Sequence, residues 1–313
     1  MNAKTDSGIL PPAQENQDKK ASVINTLTCA TLEGVNAKTI EVEATFTKGL
    51  PGFAVVGLAS SDIQEAKERV KSALLTNEFV FPPLKITVNL SPSDLKKSGT
   101  HFDLSLALLI ALHKHPIQEE GLFVFGELGL DGKIKSSSML FPLILSLKEQ
   151  GLIKRAMVPK EAIGYLSHIS GIEFIAVETL SEAIMMLKNQ SFNDSVQAFP
   201  FRAEKIEVGD TSYYFEKRYE SDFADVKGQH VAKRASLIAA AGMHNFLMEG
   251  SPGCGKSMIA KRLRDILPPL VESEILSIAK HQFLDGLMPT FSALRPIRSP
   301  HHTATSASVF GGG

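Results

Sequence analysis

Gly250-Ser251-Pro252-Gly253-Cys254-Gly255-Lys256-Ser257 is the stretch whose reading decides the fold. It satisfies G-x-x-x-x-G-K-[ST]. The preceding residues, His244-Asn245-Phe246-Leu247-Met248-Glu249, hold a short apolar run that predicts a buried strand. The following residues, Met258 to Leu267, carry Ile259, Ala260, Leu263, Ile266 and Leu267 at helical spacing. Strand, glycine loop and helix form the context in which this spacing has chemical meaning. Glycine lets the backbone turn sharply and aim its N–H groups at phosphate oxygens, and the new helix adds its positive dipole end. Lys256 supplies a point charge for the β and γ phosphates, and the Ser257 hydroxyl is placed for Mg²⁺. The stretch therefore predicts an ATP site with Mg²⁺ as its metal.

Working outward, the bulk composition sets bounds. The chain has 313 residues, 43% hydrophobic and 21% charged, which is ordinary for a globular chain long enough for two domains. Its 33 basic and 34 acidic residues leave a net charge of −1, so any nucleic-acid contact has to come from a local patch. The two cysteines, Cys29 and Cys254, form no disulfide or metal pattern, which suits a reducing cytoplasm. No apolar run approaches the ~20 residues of a membrane span. The first 21 residues have no apolar secretion core and read as a disordered tail.

Before the phosphate loop, strands and helices alternate. Val23–Ala30 and Thr39–Phe46 read as strands joined at Glu33-Gly34-Val35-Asn36, and Phe53–Gly57 as a short buried strand. Ser60, Ser61 and Asp62 offer caps to a helix with an apolar stripe at Ala66, Val70, Ala73 and Leu74. Its charged run, with Glu65 able to pair with Arg69, reads as a solvated face. Lys85–Leu90 alternates as a strand, Ser91–His101 is a polar loop, and Asp103 caps a helix, Leu104–Leu112, apolar enough all round to be buried. Val124–Leu128 reads as a strand and Leu130-Asp131-Gly132-Lys133 as a hairpin turn. Helices over 139–149, 160–168 and 180–187, with strands over 156–159 and 174–177, complete an α/β domain ending near residue 189.

These residues carry a family resemblance. Gly49-Leu50-Pro51-Gly52-Phe53, Glu68-Arg69-Val70-Lys71-Ser72-Ala73-Leu74, Phe81-Pro82-Pro83-Leu84-Lys85-Ile86-Thr87-Val88-Asn89-Leu90-Ser91-Pro92-Ser93-Asp94-Leu95, His101-Phe102-Asp103-Leu104 and Gly126-Glu127-Leu128-Gly129-Leu130-Asp131-Gly132 resemble the ComM/YifB group of magnesium-chelatase-like AAA+ proteins. The resemblance runs from about residue 22 to the end. It implies an α/β fold: a domain similar to the Lon protease catalytic domain over 22–189, a linker over 190–222, and the first half of a P-loop AAA+ α/β domain over 223–313. A Lon-type protease uses a Ser–Lys dyad. This sequence has Thr100-His101-Phe102-Asp103 where the serine belongs, and no lysine between Lys135 and Lys148, so a non-proteolytic domain is expected. His101 reads as a structural loop residue.

Within the linker a hairpin is expected around Ile206–Phe215, where Tyr213, Tyr214 and Phe215 either pack against a domain or stack on bases. Val231–Gly242 predicts an alanine-rich helix with Gly242 at its C-terminal cap. Val226, Gly228 and Gln229 are adenine-contact candidates by the resemblance; they also suit a plain helix cap. Glu272–Lys280 predicts another helix. Arg295, Arg298, His301 and His302 form the one local basic cluster, read equally as a DNA or subunit contact and as solvated loop charge. The adjacent histidines have no further ligands at metal-site spacing.

In the family, an acidic Walker B strand, a sensor, an arginine finger and a lid follow the position of Gly313. The expectation is thus a fragment or truncated product that binds nucleotide weakly and hydrolyses it poorly, if its second domain folds. For the full-length form the resemblance implies a hexameric, ATP-driven motor on DNA that promotes branch migration. A remodeller of protein partners is the alternative, and a fragment whose only folded part is the first domain is a third.

Overall fold

The hairpin turning at Gly34 begins the sheet on which the rest of the fold is laid. In the computed structural model, residues 25–117, 119, 121–192, 201, 203–217, 221–301 and 303–311 are described. The expected tail, Val23 and, within the linker, residues 193–200, 202 and 218–220 lie outside the described residues.

Strands β1 (Asn25–Glu33) and β2 (Asn36–Thr47) pair antiparallel, with Cys29 opposite Ile40. Next come β3 (Gly52–Val56), α1 (Ser61–Thr76), β4 (Lys85–Ser91) and α2 (Asp103–Ala111). They are followed by β5 (Leu122–Val124), the hairpin of β6 (Glu127–Leu128) and β7 (Ile134–Lys135), and α3 (Leu140–Glu149). Finally β8 (Arg155–Pro159), α4 (Ile163–Leu166), β9 (Glu173–Val177) and α5 (Leu180–Asn189) close the unit. One seven-stranded sheet runs β3-β4-β2-β1-β5-β8-β9, antiparallel in its β1–β2–β4 part and parallel elsewhere. The fold is mixed α/β. Helix α2 is buried from Asp103 to Ile110, as an all-round apolar helix requires.

Several local expectations change. The strand at Phe53 is an edge strand whose residues are mostly open to solvent; only Val55 is buried, and β4 is its one strand neighbour among the described residues. The expected strand Val124–Leu128 is two short ones, β5 in the sheet and β6 in its own hairpin, with the chain leaving the sheet at Phe125. Ser60 is at the N-cap of α1 yet its side chain makes no capping bond. Arg69 does pair with Glu65 at 4.0 Å, but it leaves the solvated face to bind Asp103. Asp103 is accordingly no cap: it sits inside the first turn of α2, wholly buried.

The later elements are β10 (Glu204–Val208), β11 (Thr211–Phe215), α6 (His230–Ala241), α7 (Lys256–Leu263), β12 (Leu270–Val271), α8 (Glu272–Leu284) and α9 (Ser306–Phe310). β10, β11 and β12 form a small sheet. Tyr214 packs edge-on against Phe201 at 5.2 Å between ring centres, the packing role rather than the stacking one. Helix α8 lies on α3: Leu276, Ala279 and Phe283 enter the main core. Phe283 stacks on Phe141 at 4.9 Å, and Lys280 reaches Glu149 at 3.3 Å. Residues C-terminal to the phosphate loop are thus built into the first unit's core.

Candidate phosphate-binding site

Helix α7 starts at Lys256, and the loop before it holds Gly253 and Gly255 at φ of 79° and 92°. That is left-handed backbone, which glycine adopts without steric cost. A Cβ on Gly250 would stand 3.2 Å from the Cys254 sulfur, so the loop also closes tightly on itself there. Lys256 Nζ donates to Gly250 O at 2.7 Å and Ser251 O at 2.8 Å, and lies 3.5 Å from Cys254 Sγ. The ammonium therefore sits in the curve of the loop. The main-chain N–H groups of Gly253, Gly255, Lys256 and Ser257 find no protein acceptor among the described residues. A lone ammonium and several unpaired N–H groups at a helix start suit an oxyanion. Ser251, Pro252 and Ser257 are exposed around this curve. The residues present fit a triphosphate, and the Ser257 hydroxyl, on the first turn of α7, is free to join the Mg²⁺ shell.

The segment 244–249 is not the expected buried strand. It is unpaired, and Leu247 is 90% exposed. An apolar run becomes a strand only when a neighbour takes up its N–H and C=O groups, and no described strand does so. The loop is anchored by a small cluster of Phe223, Val226 and Ile259, on which Phe246 and Met248 of this same run pack half-buried. Asp222 caps the turn before Val226, accepting from Ala224 N at 2.6 Å. Arg262 on α7 pairs with Asp225 at 3.1 Å, and Lys233 on α6 donates to Val226 O at 2.9 Å. Of the adenine candidates, Val226 is buried, while Gly228 and Gln229 both have left-handed backbone. The Gln229 side-chain amide donates to Cys254 O at 3.3 Å.

The basic cluster does not stay together. Arg295 turns inward onto Glu274 at 2.9 Å and onto the carbonyls of Pro268 and Pro269. Burial pushes the Glu274 carboxyl up, but Arg295 and the Val271 N–H outweigh it and hold the group below its ordinary value. Arg298 is exposed, 4.0 Å from Asp285, and His301 contacts Thr303 Oγ1 at 2.7 Å. His302 lies outside the described residues.

In the first unit, Thr100 donates its hydroxyl to Glu127. His101 is buried with Nε2 2.8 Å from Ala30 O, so that nitrogen carries the proton, and Nδ1 has no partner. Burial drives its pKa down from 6.5 to about 4. Sequence reasoning missed two features here. Lys97, within the stretch read as a polar loop, is fully buried with its ammonium on Pro92 O, and burial lowers its pKa. The Arg69–Asp103 pair, 2.7 Å apart, joins residues 34 positions apart. Burial raises the Asp103 pKa despite that partner.

Comparison with known proteins matches residues 42–162 to a family model described as subunit ChlI of Mg-chelatase, and residues 222–313 to one described as magnesium chelatase, subunit ChlI. The competence protein ComM of Haemophilus influenzae is 33% identical over 285 residues, covering 90% of this chain and 54% of that protein. YifB of Salmonella typhimurium is 34% identical over 290 residues, covering 90% and 53%. Lon protease 2 of Bacillus subtilis is 24% identical over 217 residues, covering 63% of this chain and 38% of that protein. The chain spans about half the length of the ComM and YifB relatives it matches.

Proposed function

The chain belongs to the magnesium-chelatase-like family that includes ComM and YifB, and from that premise we propose that residues 250–257 bind ATP as its Mg²⁺ complex. The observation that carries this reading is the loop itself. Among the described residues its ammonium is tied to main-chain carbonyls and a thiol, beside four main-chain N–H groups with no acceptor. A triphosphate replaces those carbonyls as the partner of Lys256 and takes up the free N–H groups. Mg²⁺ held by the Ser257 hydroxyl and the phosphates would neutralise phosphate charge. The protein's share is to hold the phosphates, through Gly253, Gly255, Lys256 and Ser257, and to seat the base near Val226.

For the full-length protein we propose an ATP-driven, ring-forming motor in the cytoplasm that acts on DNA. Its support is the likeness to a protein named for competence, together with the exposed Arg298 and His301. Residues 22–189 serve as a binding or regulatory domain without protease chemistry, since Thr100 and His101 are committed to Glu127 and Ala30. Lys256→Ala tests the nucleotide site directly. Binding of a fluorescent ATP analogue is expected to weaken at least about tenfold, with the unfolding midpoint unchanged; binding at the wild-type level would sink the assignment. DNA-stimulated ATP hydrolysis by the full-length protein tests the motor reading, and a rate indifferent to DNA argues against it.

A further inference from the structure

Gln229 does something that its place in the chain does not require. It stands at the N-cap of α6, where Ser, Thr, Asp or Asn with extended backbone is the usual occupant. Gln229 instead has φ of 51°, follows Gly228 at 63°, and makes no side-chain capping bond. Left-handed backbone is sterically costly for a residue with a Cβ. The Gln229 side-chain amide instead donates across 25 positions to Cys254 O at 3.3 Å.

That carbonyl belongs to the peptide joining Cys254 to Gly255. In a trans peptide C=O and N–H point in opposite directions, and the one cis bond among the described residues is Ser91–Pro92. A Cys254 oxygen held by Gln229 therefore fixes where the Gly255 N–H points. The fixing matters because Gly255 is a glycine: a peptide plane next to glycine flips at little steric cost, since either sign of φ is open to it. In the flipped state a carbonyl oxygen stands where the N–H stood, facing an anion with the wrong charge. Gly250 O and Ser251 O already face Lys256, so a third inward carbonyl would suit the ammonium and repel phosphate.

Resting on the reading of residues 250–257 as a triphosphate cradle, the geometry points to Gln229 as the positioning residue of that cradle: its amide locks the 254–255 peptide in the anion-accepting orientation. The lock has an independent footing. Val226, three residues before Gln229, packs on Ile259 of α7, and Asp225 pairs with Arg262 of the same helix. Gln229 thus rides on a segment fixed to the helix that follows the loop, and the base-side segment and the phosphate loop are set as one piece.

Three variants of the full chain test this. Gln229→Glu is isosteric but presents an oxygen to an oxygen and cannot donate. Gln229→Gly relieves the left-handed backbone while removing the amide. Lys256→Ala reports on the cradle itself. The ATP analogue is expected to bind about tenfold more weakly to both Gln229 variants, although Gln229→Gly is at least as thermostable as wild type. A Gln229 that merely starts α6 predicts the opposite, with Gln229→Gly binding normally. A second readout needs no nucleotide. Cys254-Gly255 is the one Cys-Gly step in the chain, so ¹³C-cysteine and ¹⁵N-glycine labelling isolates a single amide resonance. It is expected to be sharp in wild type and doubled or exchange-broadened in Gln229→Gly. Normal binding by both Gln229 variants alongside weak binding by Lys256→Ala overturns the lock and leaves the cradle standing. Normal binding by Lys256→Ala removes the cradle, and the resonance then decides the lock alone: one unbroadened peak in Gln229→Gly refutes it.

Discussion

Two apolar stretches, α2 and the segment 244–249, met different fates. Leu104, Leu106, Leu108 and Leu109 of α2 are wholly buried, enclosed by α1, α5 and the strands β1 and β2. Leu247, the middle of the shorter apolar triplet Phe246-Leu247-Met248, is almost wholly exposed, while its two neighbours are half-buried against the small cluster of Phe223, Val226 and Ile259. Hydrophobicity measures what a residue gains from burial, at about 25 cal/mol per Å². It does not supply the surface that buries it. The first unit provides a seven-stranded sheet and a continuous core. Around the phosphate loop three buried residues, the half-buried side chains packed on them and the Asp225–Arg262 ion pair do the holding. The loop is a conformation set by glycines and one lysine, so it needs little core beneath it.

The sharpest way to break this contrast is to truncate one large side chain in each region. Phe141 is fully buried on α3, stacked on Phe283 and edge-on to Phe291 at 5.5 Å. Phe141→Ala is expected to cost about 3–5 kcal/mol in urea denaturation, and to speed hydrogen exchange in α8, which loses its stacking partner. Leu247→Ala is expected to change stability by less than about 0.5 kcal/mol. Comparable losses at the two positions would mean that the 244–249 run is buried in solution.

How much of this was legible in the sequence follows from the range of each interaction. The stripe Ala66, Val70, Ala73 and Leu74 was readable because helical periodicity is local, and all four are buried. The shape of the glycine loop was readable because its left-handed turns and the Lys256 contacts join residues only a few positions apart. The burial of Lys97 was not readable, since a lysine in a polar loop gives no sign of the carbonyl awaiting it. The helical run after Glu272 was visible, but its docking on α3 depends on Phe141, Lys280 and Glu149 meeting across more than 130 residues. The 244–249 strand failed for the same reason in reverse: its pattern was local, and strand formation is not.

The Arg69–Asp103 pair is the next largest lever, and it lies wholly within the first unit. Asp103 is 0% exposed and accepts from Arg69 at 2.7 and 3.0 Å and from Leu128 N at 3.2 Å. Removing the cation leaves a buried carboxylate with one main-chain donor. Arg69→Met is expected to cost about 3 kcal/mol, while Arg69→Met with Asp103→Leu recovers most of it, because the unpaired charge is what costs. A double variant no better than the single would show that the pair supplies net attraction. ATP-analogue binding should be indifferent to both, which sharpens the separation between the two regions.

Acid gives the smallest effect and again divides the regions. His101 is neutral in the fold, packed 4.7 Å from the ring of Phe102 with Nδ1 unpartnered, and its pKa is about 4 against 6.5 for the free side chain. The unfolded chain takes up a proton as pH falls through 6.5 and the folded one does not until near 4. Stability from His101 is therefore complete above 6.5 and drains away between 6.5 and 4, by about 2 kcal/mol at pH 5. Asp103 runs the other way: burial raises its pKa, so its term favours the fold at low pH and fades as pH rises through the folded value. Comparing wild type with His101→Gln cancels that term, because Asp103 is common to both. The expected difference is a wild-type curve that falls more steeply below pH 6.5, with the phosphate-loop amide resonance of Gly255 unmoved over the same range. Parallel curves for the two proteins would mean that His101 is protonated in the fold, and that Nδ1 has found a partner.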